Sequence, residues 1–162
     1  PFRTTPVYDI QQSLGAVFGQ QFGLEVANYF ASEDEPRYET PSFRRSNAFA
    51  ATAREVKAVR ERVGINEVQN FSKFSVTGSG ARAWLDRIMA GRIPDLGRVS
   101  LAPMLSPKGR LIGDFTISCL GEEEFQLTSS YGYQSVHERW LRSHLEAGID
   151  IENISDLSLI HI

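Results

Sequence analysis

The chain has 162 residues, of which 41% are apolar and 23% charged, with a formal net charge of -3. That length and apolar content suit one domain with a real core, or a piece of a larger protein. The slight acidity argues against nucleic acid as the main partner, because such partners select a basic footprint. The single cysteine, Cys119, excludes an internal disulfide and any multi-cysteine metal site; in a strand it reads as a small buried apolar side chain. No apolar run reaches the roughly 18 residues of a membrane span, and no secretory leader is visible. The chain starts without Met and ends on the strand-like run Leu157 to Ile162, which reads as a fragment of something longer.

Taken in order, Pro1 and Pro6 limit helix at the start. Asp9 is placed to cap a short helix through Leu14, stopped by Gly15. Ala16 to Phe22 reads as a strand or a buried loop, and Asn28-Tyr29-Phe30 as core. Residues 32–45 form an acidic, proline-containing solvated excursion closed by the surface pair Arg44 and Arg45. Ser46 or Asn47 then caps a helix to about Val63, with Phe49, Ala53, Val56, Val59 and Val63 near helical spacing and Arg54, Glu55, Arg60, Glu61 and Arg62 outside.

A strand follows over Phe71–Val76. The loop Thr77-Gly78-Ser79-Gly80 lacks the Lys-Ser/Thr of a phosphate cradle. The next helix, Ala81–Ala90, carries Ala81, Trp84, Leu85, Ile88 and Met89 on one face, a core stripe. Strands at 98–105 and 114–120 flank the turn Ser106-Pro107-Lys108-Gly109, and so form a hairpin. Phe125–Ser129 is a further strand. A helix from Gln134 or Ser135 puts Val136, Trp140, Leu141, His144 and Leu145 on one face, leaving His137 in solvent and His144 a satisfied structural residue on the inner edge. Gly148 ends that helix before a strand at 149–153.

This order is α+β and resembles a ferredoxin-like split βαβ unit, an antiparallel sheet with two helices and one added strand. The helices cover one face of the sheet; the other must be buried elsewhere or hold a ligand. Three segments follow: 1–68 with the acidic insertion 32–45, a ferredoxin-like part at 69–148, and a return at 149–162. No metal-ligand spacing joins His137, His144 and His161, and no Gly-x-Ser-x-Gly or Gly-x-Gly-x-x-Gly motif occurs.

The residue with the strongest chemical signal is Asp114, a carboxylate on an otherwise apolar strand just after a tight turn. An unpaired buried charge is costly. Asp114 therefore either accepts hydrogen bonds from the turn or faces water, or it is a ligand-positioning, proton-handling group.

Several stretches carry a family resemblance. Tyr8-Asp9, Leu14-Gly15-Ala16 and Phe22-Gly23-Leu24-Glu25, then Gly64 to Phe71, then Lys108-Gly109-Arg110-Leu111-Ile112-Gly113-Asp114, are similar to the aminomethyltransferase family, the glycine-cleavage T-proteins. The run Leu14 to Gly19, the insertion ending Ser42-Phe43-Arg44-Arg45-Ser46-Asn47, and Ala58 to Gly64 look most like the T-protein-like half of flavin-dependent dimethylglycine and sarcosine dehydrogenases.

The resemblance implies an incomplete T-protein-like fold that binds tetrahydrofolate and passes it a one-carbon unit from an amine-derived donor. FAD would sit in a separate upstream part. It implies a small-molecule folate partner, no nucleic acid, no membrane, and a bacterial cytoplasmic or mitochondrial-matrix setting. The family's key carboxylate matches Asp114, implied to hold a folate nitrogen and manage its proton. Four other family positions fall on Leu101, Thr116, Ser118 and Ser130, each a change from the family's residue, and Phe71 joins Leu101 as apolar wall. Gly113 replaces the first acid of the family's Asp-Asp pair. The family's pterin-gripping acid would lie beyond Ile162, and the piece alone is expected to be inactive. Two alternatives stay open: a stand-alone folate-dependent methyl- or aminomethyltransferase, and a non-catalytic regulatory or iron–sulfur-assembly relative.

Overall fold

The alternating and helical patterns above resolve into elements in a computed structural model that describes residues 3–68, 70–157 and 159–161. It separates into two units: residues 1–69 with 158–162, and residues 70–157.

In the first unit, helix α1 (Tyr8–Ser13) carries Asp9 inside its first turn, with Val7 at the N-cap. The helix thus starts before Asp9 and is not capped by its carboxylate. Strands β1 (Ala16–Gln21) and β2 (Leu24–Phe30) form an antiparallel hairpin. Tyr29 is core, while Asn28 is exposed. The excursion 32–45 has no regular structure. It is pinned by Arg54, whose guanidinium donates to both Glu35 carboxylate oxygens at 2.7 and 2.5 Å, and by Asn47, which accepts the Thr40 N–H and donates to the Tyr38 carbonyl, both at 2.8 Å.

Helix α2 (Ala48–Glu61) departs from expectation. Its stripe of Phe49, Val56, Val59 and Val63 is exposed. The packed face is the neighbouring one, with Ala51 buried, Ala48 beside it, and Glu55 accepting the Phe30 N–H at 2.6 Å. Small side chains let the helix approach the β1–β2 hairpin closely, and spacing alone does not reveal which stripe meets the neighbour. Strand β3 (Asn66–Val68) pairs antiparallel with the last strand of the chain (Leu159–His161).

The second unit runs β4 (Phe71–Thr77), α3 (Ala81–Ile88), β5 (Val99–Leu105), β6 (Leu111–Gly121), β7 (Glu124–Ser130), a 3-10 turn at Tyr131–Tyr133, α4 (Gln134–Ser143) and β8 (Asp150–Asn153). Its five strands are ordered β5-β6-β7-β4-β8, and all neighbouring pairs are antiparallel. This is the ferredoxin-like order with β7 inserted between β6 and β4. β7, α4 and β8 form the split unit around β4.

One sheet face is a continuous core with the helices. Phe74, Val76, Met104, Phe115, Ile117, Cys119, Phe125 and Leu127 meet Trp84, Leu85 and Leu141 there. Strand alternation puts every second residue on this face, so the helix stripe of α3 and the buried Cys119 stand as expected. Trp84 donates its indole N–H to the His144 carbonyl at 2.7 Å.

Helix α4 is rotated relative to expectation. His137 is 1% exposed, and Val136 faces outward. The buried side chains of α4 are Gln134, His137 and Leu141, three and four apart, which puts a polar and an imidazole side chain on the inner face. His144 is exposed, beyond the helix end, with its ring against Trp140 at 4.3 Å and Nδ1 2.9 Å from the Trp140 carbonyl. No described helix is long and apolar enough to cross a membrane, and no group of three or more metal-ligating side chains converges among the described residues.

Candidate functional site

The second sheet face carries no helix of its unit, and the candidate residues all project from it. Leu101 on β5 is in register with Thr116 on β6, Thr116 with Thr128 on β7, and Thr128 with Lys73 on β4. The next row joins Val99, Ser118, Gln126, Ser75 and Glu152. At the other end Asp114 faces Pro103, and Phe71 faces Ser130.

Phe71, Leu101, Asp114, Thr116, Ser118 and Ser130 therefore share one surface because strand positions of equal parity point the same way. Leu101 is 79% exposed and Phe71 37%. Asp114 and Ser130 are exposed, while Thr116 and Ser118 are half-buried. These six side chains comprise an aromatic ring, an aliphatic side chain, three hydroxyls and one carboxylate, a set able to lie against a flat heterocycle and hydrogen-bond its edge.

The turn before Asp114 is closed by the Gly109 N–H donating to the Ser106 carbonyl and the Ser106 N–H to the Arg110 carbonyl, both at 2.8 Å. Gly109 has φ +70°, the left-handed conformation that favours glycine there. The hairpin is not regular. Met104 pairs with Gly113 and Leu105 with Leu111, so Ile112 is an extra residue on β6, a β-bulge two positions before Asp114. The Ile112 carbonyl lies 3.2 Å from Nε2 of the buried His137, and the Asp114 carbonyl accepts the Ser129 hydroxyl at 2.6 Å.

His137 packs against Phe115 (ring centroids 4.9 Å apart) and Tyr133 (5.9 Å). Burial, partly offset by the bond to Ile112, lowers its pKa below the usual 6.5, which keeps the ring neutral. Because a carbonyl only accepts, the proton is on Nε2. Nδ1 has no partner among the described residues. The structure also explains Gly113. A Cβ there would lie 2.4 Å from His137 Nε2, so no larger side chain fits beside the buried ring at this position.

Two residues of this neighbourhood escaped the sequence reading. Lys73, 1% exposed, occupies the row of Thr116 and Thr128, with Nζ donating to the Phe71 carbonyl at 3.1 Å; the alternation Phe71, Lys73, Ser75 was the available signal. His137 carried no signal, since its burial depends on the helix phase. A separate cleft of about 420 Å³ lies by Met89, Pro107, Trp140 and His144 and includes none of the candidate residues.

Comparisons with known proteins agree with this architecture. The model of the GCVT N-terminal domain matches residues 7–162. Mitochondrial dimethylglycine dehydrogenase of Rattus norvegicus is 31% identical over 157 residues, 95% of this chain and 18% of that protein. Sarcosine oxidase subunit alpha of Rhizobium meliloti is 30% identical over 90% of this chain and 14% of its own length. The aminomethyltransferase of Halothermothrix orenii is 24% identical over 95% of this chain and 38% of its own length. The chain thus spans well under half of each of these relatives. The crystal structure of glycine cleavage system aminomethyltransferase T from Bartonella henselae superposes with a TM-score of 0.72 at 15% identity, over 96% of this chain and 39% of that one. Sequence similarity and shared fold together make this chain a member of the GCVT N-terminal domain family.

Proposed function

We propose that this chain is the tetrahydrofolate-binding, aminomethyltransferase-like part of a flavin-dependent dimethylglycine- or sarcosine-type demethylating dehydrogenase. The observation that carries the reading is the common face of Asp114, Thr116, Ser118, Ser130, Leu101 and Phe71. The 31% identity to dimethylglycine dehydrogenase, against 24% to an aminomethyltransferase, favours the dehydrogenase branch over a stand-alone transferase.

The residues fit a reduced pterin in chemical type: Phe71 and Leu101 offer apolar contact to a ring, and the three hydroxyls offer donors and acceptors for its edge. When bound, tetrahydrofolate supplies the amine nitrogen that receives the one-carbon unit. Asp114 accepts a hydrogen bond from a folate N–H and takes the proton as that nitrogen becomes substituted, a task that requires hydrogen-bond reach. The amine oxidation belongs to a flavin held by a separate part of the protein, and no step of it is assigned to residues here.

The test is calorimetric titration of the whole protein with tetrahydrofolate, for the parent and for Asp114→Ala. Binding by the parent and its loss in the variant is the expected result. No binding, or binding unchanged in Asp114→Ala, ends the reading. Flavin reduction by dimethylglycine or sarcosine separates the dehydrogenase from a stand-alone transferase and from a non-catalytic relative.

A further inference from the structure

We infer that His137 is a positioning residue for Asp114: its imidazole, buried under the hairpin, holds the bulged backbone of β6 so that the carboxylate is presented on the open sheet face. The inference rests on the folate reading for its functional readout, but the geometry stands separately.

Three observations converge. First, the residue that His137 contacts is the bulged one. Ile112 has no partner on β5 in the hairpin register, and its carbonyl is 3.2 Å from Nε2. A bulge bends the strand and re-aims the side chains that follow it, so whatever fixes the bulge fixes the direction of residue 114. Second, the assigned β6–β7 register begins only at Thr116↔Thr128. Upstream of it a second buried side chain acts on the same segment: Ser129, 5% exposed, donates its hydroxyl to the Asp114 carbonyl at 2.6 Å. Side-chain donors thus grip this segment at positions 112 and 114. Third, Gly113 between them is shaped to the ring, since any Cβ would stand 2.4 Å from Nε2. The ring cannot retreat easily, being packed on Phe115 and Tyr133. His137 is therefore matched to the Ile112 carbonyl and to the bare Gly113 backbone on the core face of the strand, while Asp114 points from the opposite face.

His137 touches no candidate ligand-binding side chain and acts through the backbone alone. Its effect should therefore vanish when Asp114 is already disabled. The experiment is a double-mutant cycle of His137→Leu and Asp114→Asn in the whole protein, with the tetrahydrofolate Kd measured by calorimetry and folding checked by circular dichroism. Misplacing a binding group by a fraction of an ångström is expected to weaken binding about tenfold in His137→Leu, with no further loss when it is added to Asp114→Asn. Unchanged affinity in His137→Leu, or a full extra loss in the double variant, overturns the inference while leaving Asp114 in its role.

If Asp114→Asn binds as the parent does, the folate reading fails instead. Hydrogen exchange then decides the positioning role alone: faster exchange in His137→Leu confined to residues 112–114 supports it, and an unchanged pattern there overturns it. Gly113→Ala provides an independent route should His137→Leu not fold. It should displace the ring and reproduce both the affinity loss and the local exchange; parent-like behaviour of a folded Gly113→Ala overturns the inference.

Discussion

The indole of Trp84, on the first helix of the five-stranded unit, donates to the backbone carbonyl of His144 just past the end of the second, at 2.7 Å. Trp84 is fully buried, so this bond ties the two helices across the core they share. Trp84→Phe keeps most of the ring but leaves that carbonyl without its donor. The expected cost is about 1–3 kcal/mol, read as a lower urea midpoint with an unchanged slope.

Leu101 separates binding from folding. Its side chain is 79% exposed on the helix-free face, so Leu101→Ala removes almost no buried area. Stability should stay within about 0.5 kcal/mol of the parent by thermal denaturation, while tetrahydrofolate affinity falls. A stability loss with unaltered affinity would assign Leu101 to packing.

His137 predicts a pH dependence. Burial lowers its folded pKa below the usual 6.5. Below about pH 6.5 the unfolded chain then binds a proton that the folded chain resists, so stability falls as pH drops through that range. Above it both states are neutral and this contribution is absent. Urea midpoints from pH 7.5 to 5 should decline less steeply in His137→Gln than in the parent.

Glu35 predicts a second loss of stability on acidification, in a lower pH range. The Arg54 guanidinium, helped by the Ser32 N–H, holds its pKa down to about 2 from 4.5. The folded pKa is depressed, so the anchoring of the acidic excursion is complete above about pH 4.5 and is lost as pH falls toward 2. Carbon-13 titration of the Glu35 carboxyl should show the low inflection, and Arg54→Met should return it toward 4.5.

Much of the second unit was legible because its signals are local. Pro107 and Gly109 mark a turn whatever surrounds them, and the stripe Ala81, Trp84, Leu85, Ile88 and Met89 is consistent with a single buried face. Once Asp114 is placed on a strand, parity carries Thr116 and Ser118 to the same side, and register adds Leu101, Ser130 and Phe71. What stayed hidden depends on partners distant in sequence. The α2 spacing named an apolar stripe, but Ala48, Ala51 and Glu55 make the contact with β2. Gly113 read as a missing acid, and only the fold supplies the cause, an imidazole from another element. The phase of α4 escaped hydrophobic spacing because Gln134 and His137, both polar, share its buried face with Leu141.

The bulge at Ile112, with its carbonyl held by His137, lies between the turn and the carboxylate. Downstream, Phe115, Ile117 and Cys119 are clamped in the core, so the aim of Asp114 is fixed from the interior outward. Upstream, the grip on Ile112 marks off this segment from the loop tip at Ser106–Arg110. Lengthening or trimming that tip can be absorbed before the clamp begins. The apex of the hairpin is thus free to diversify in evolution while the carboxylate beneath it keeps its heading.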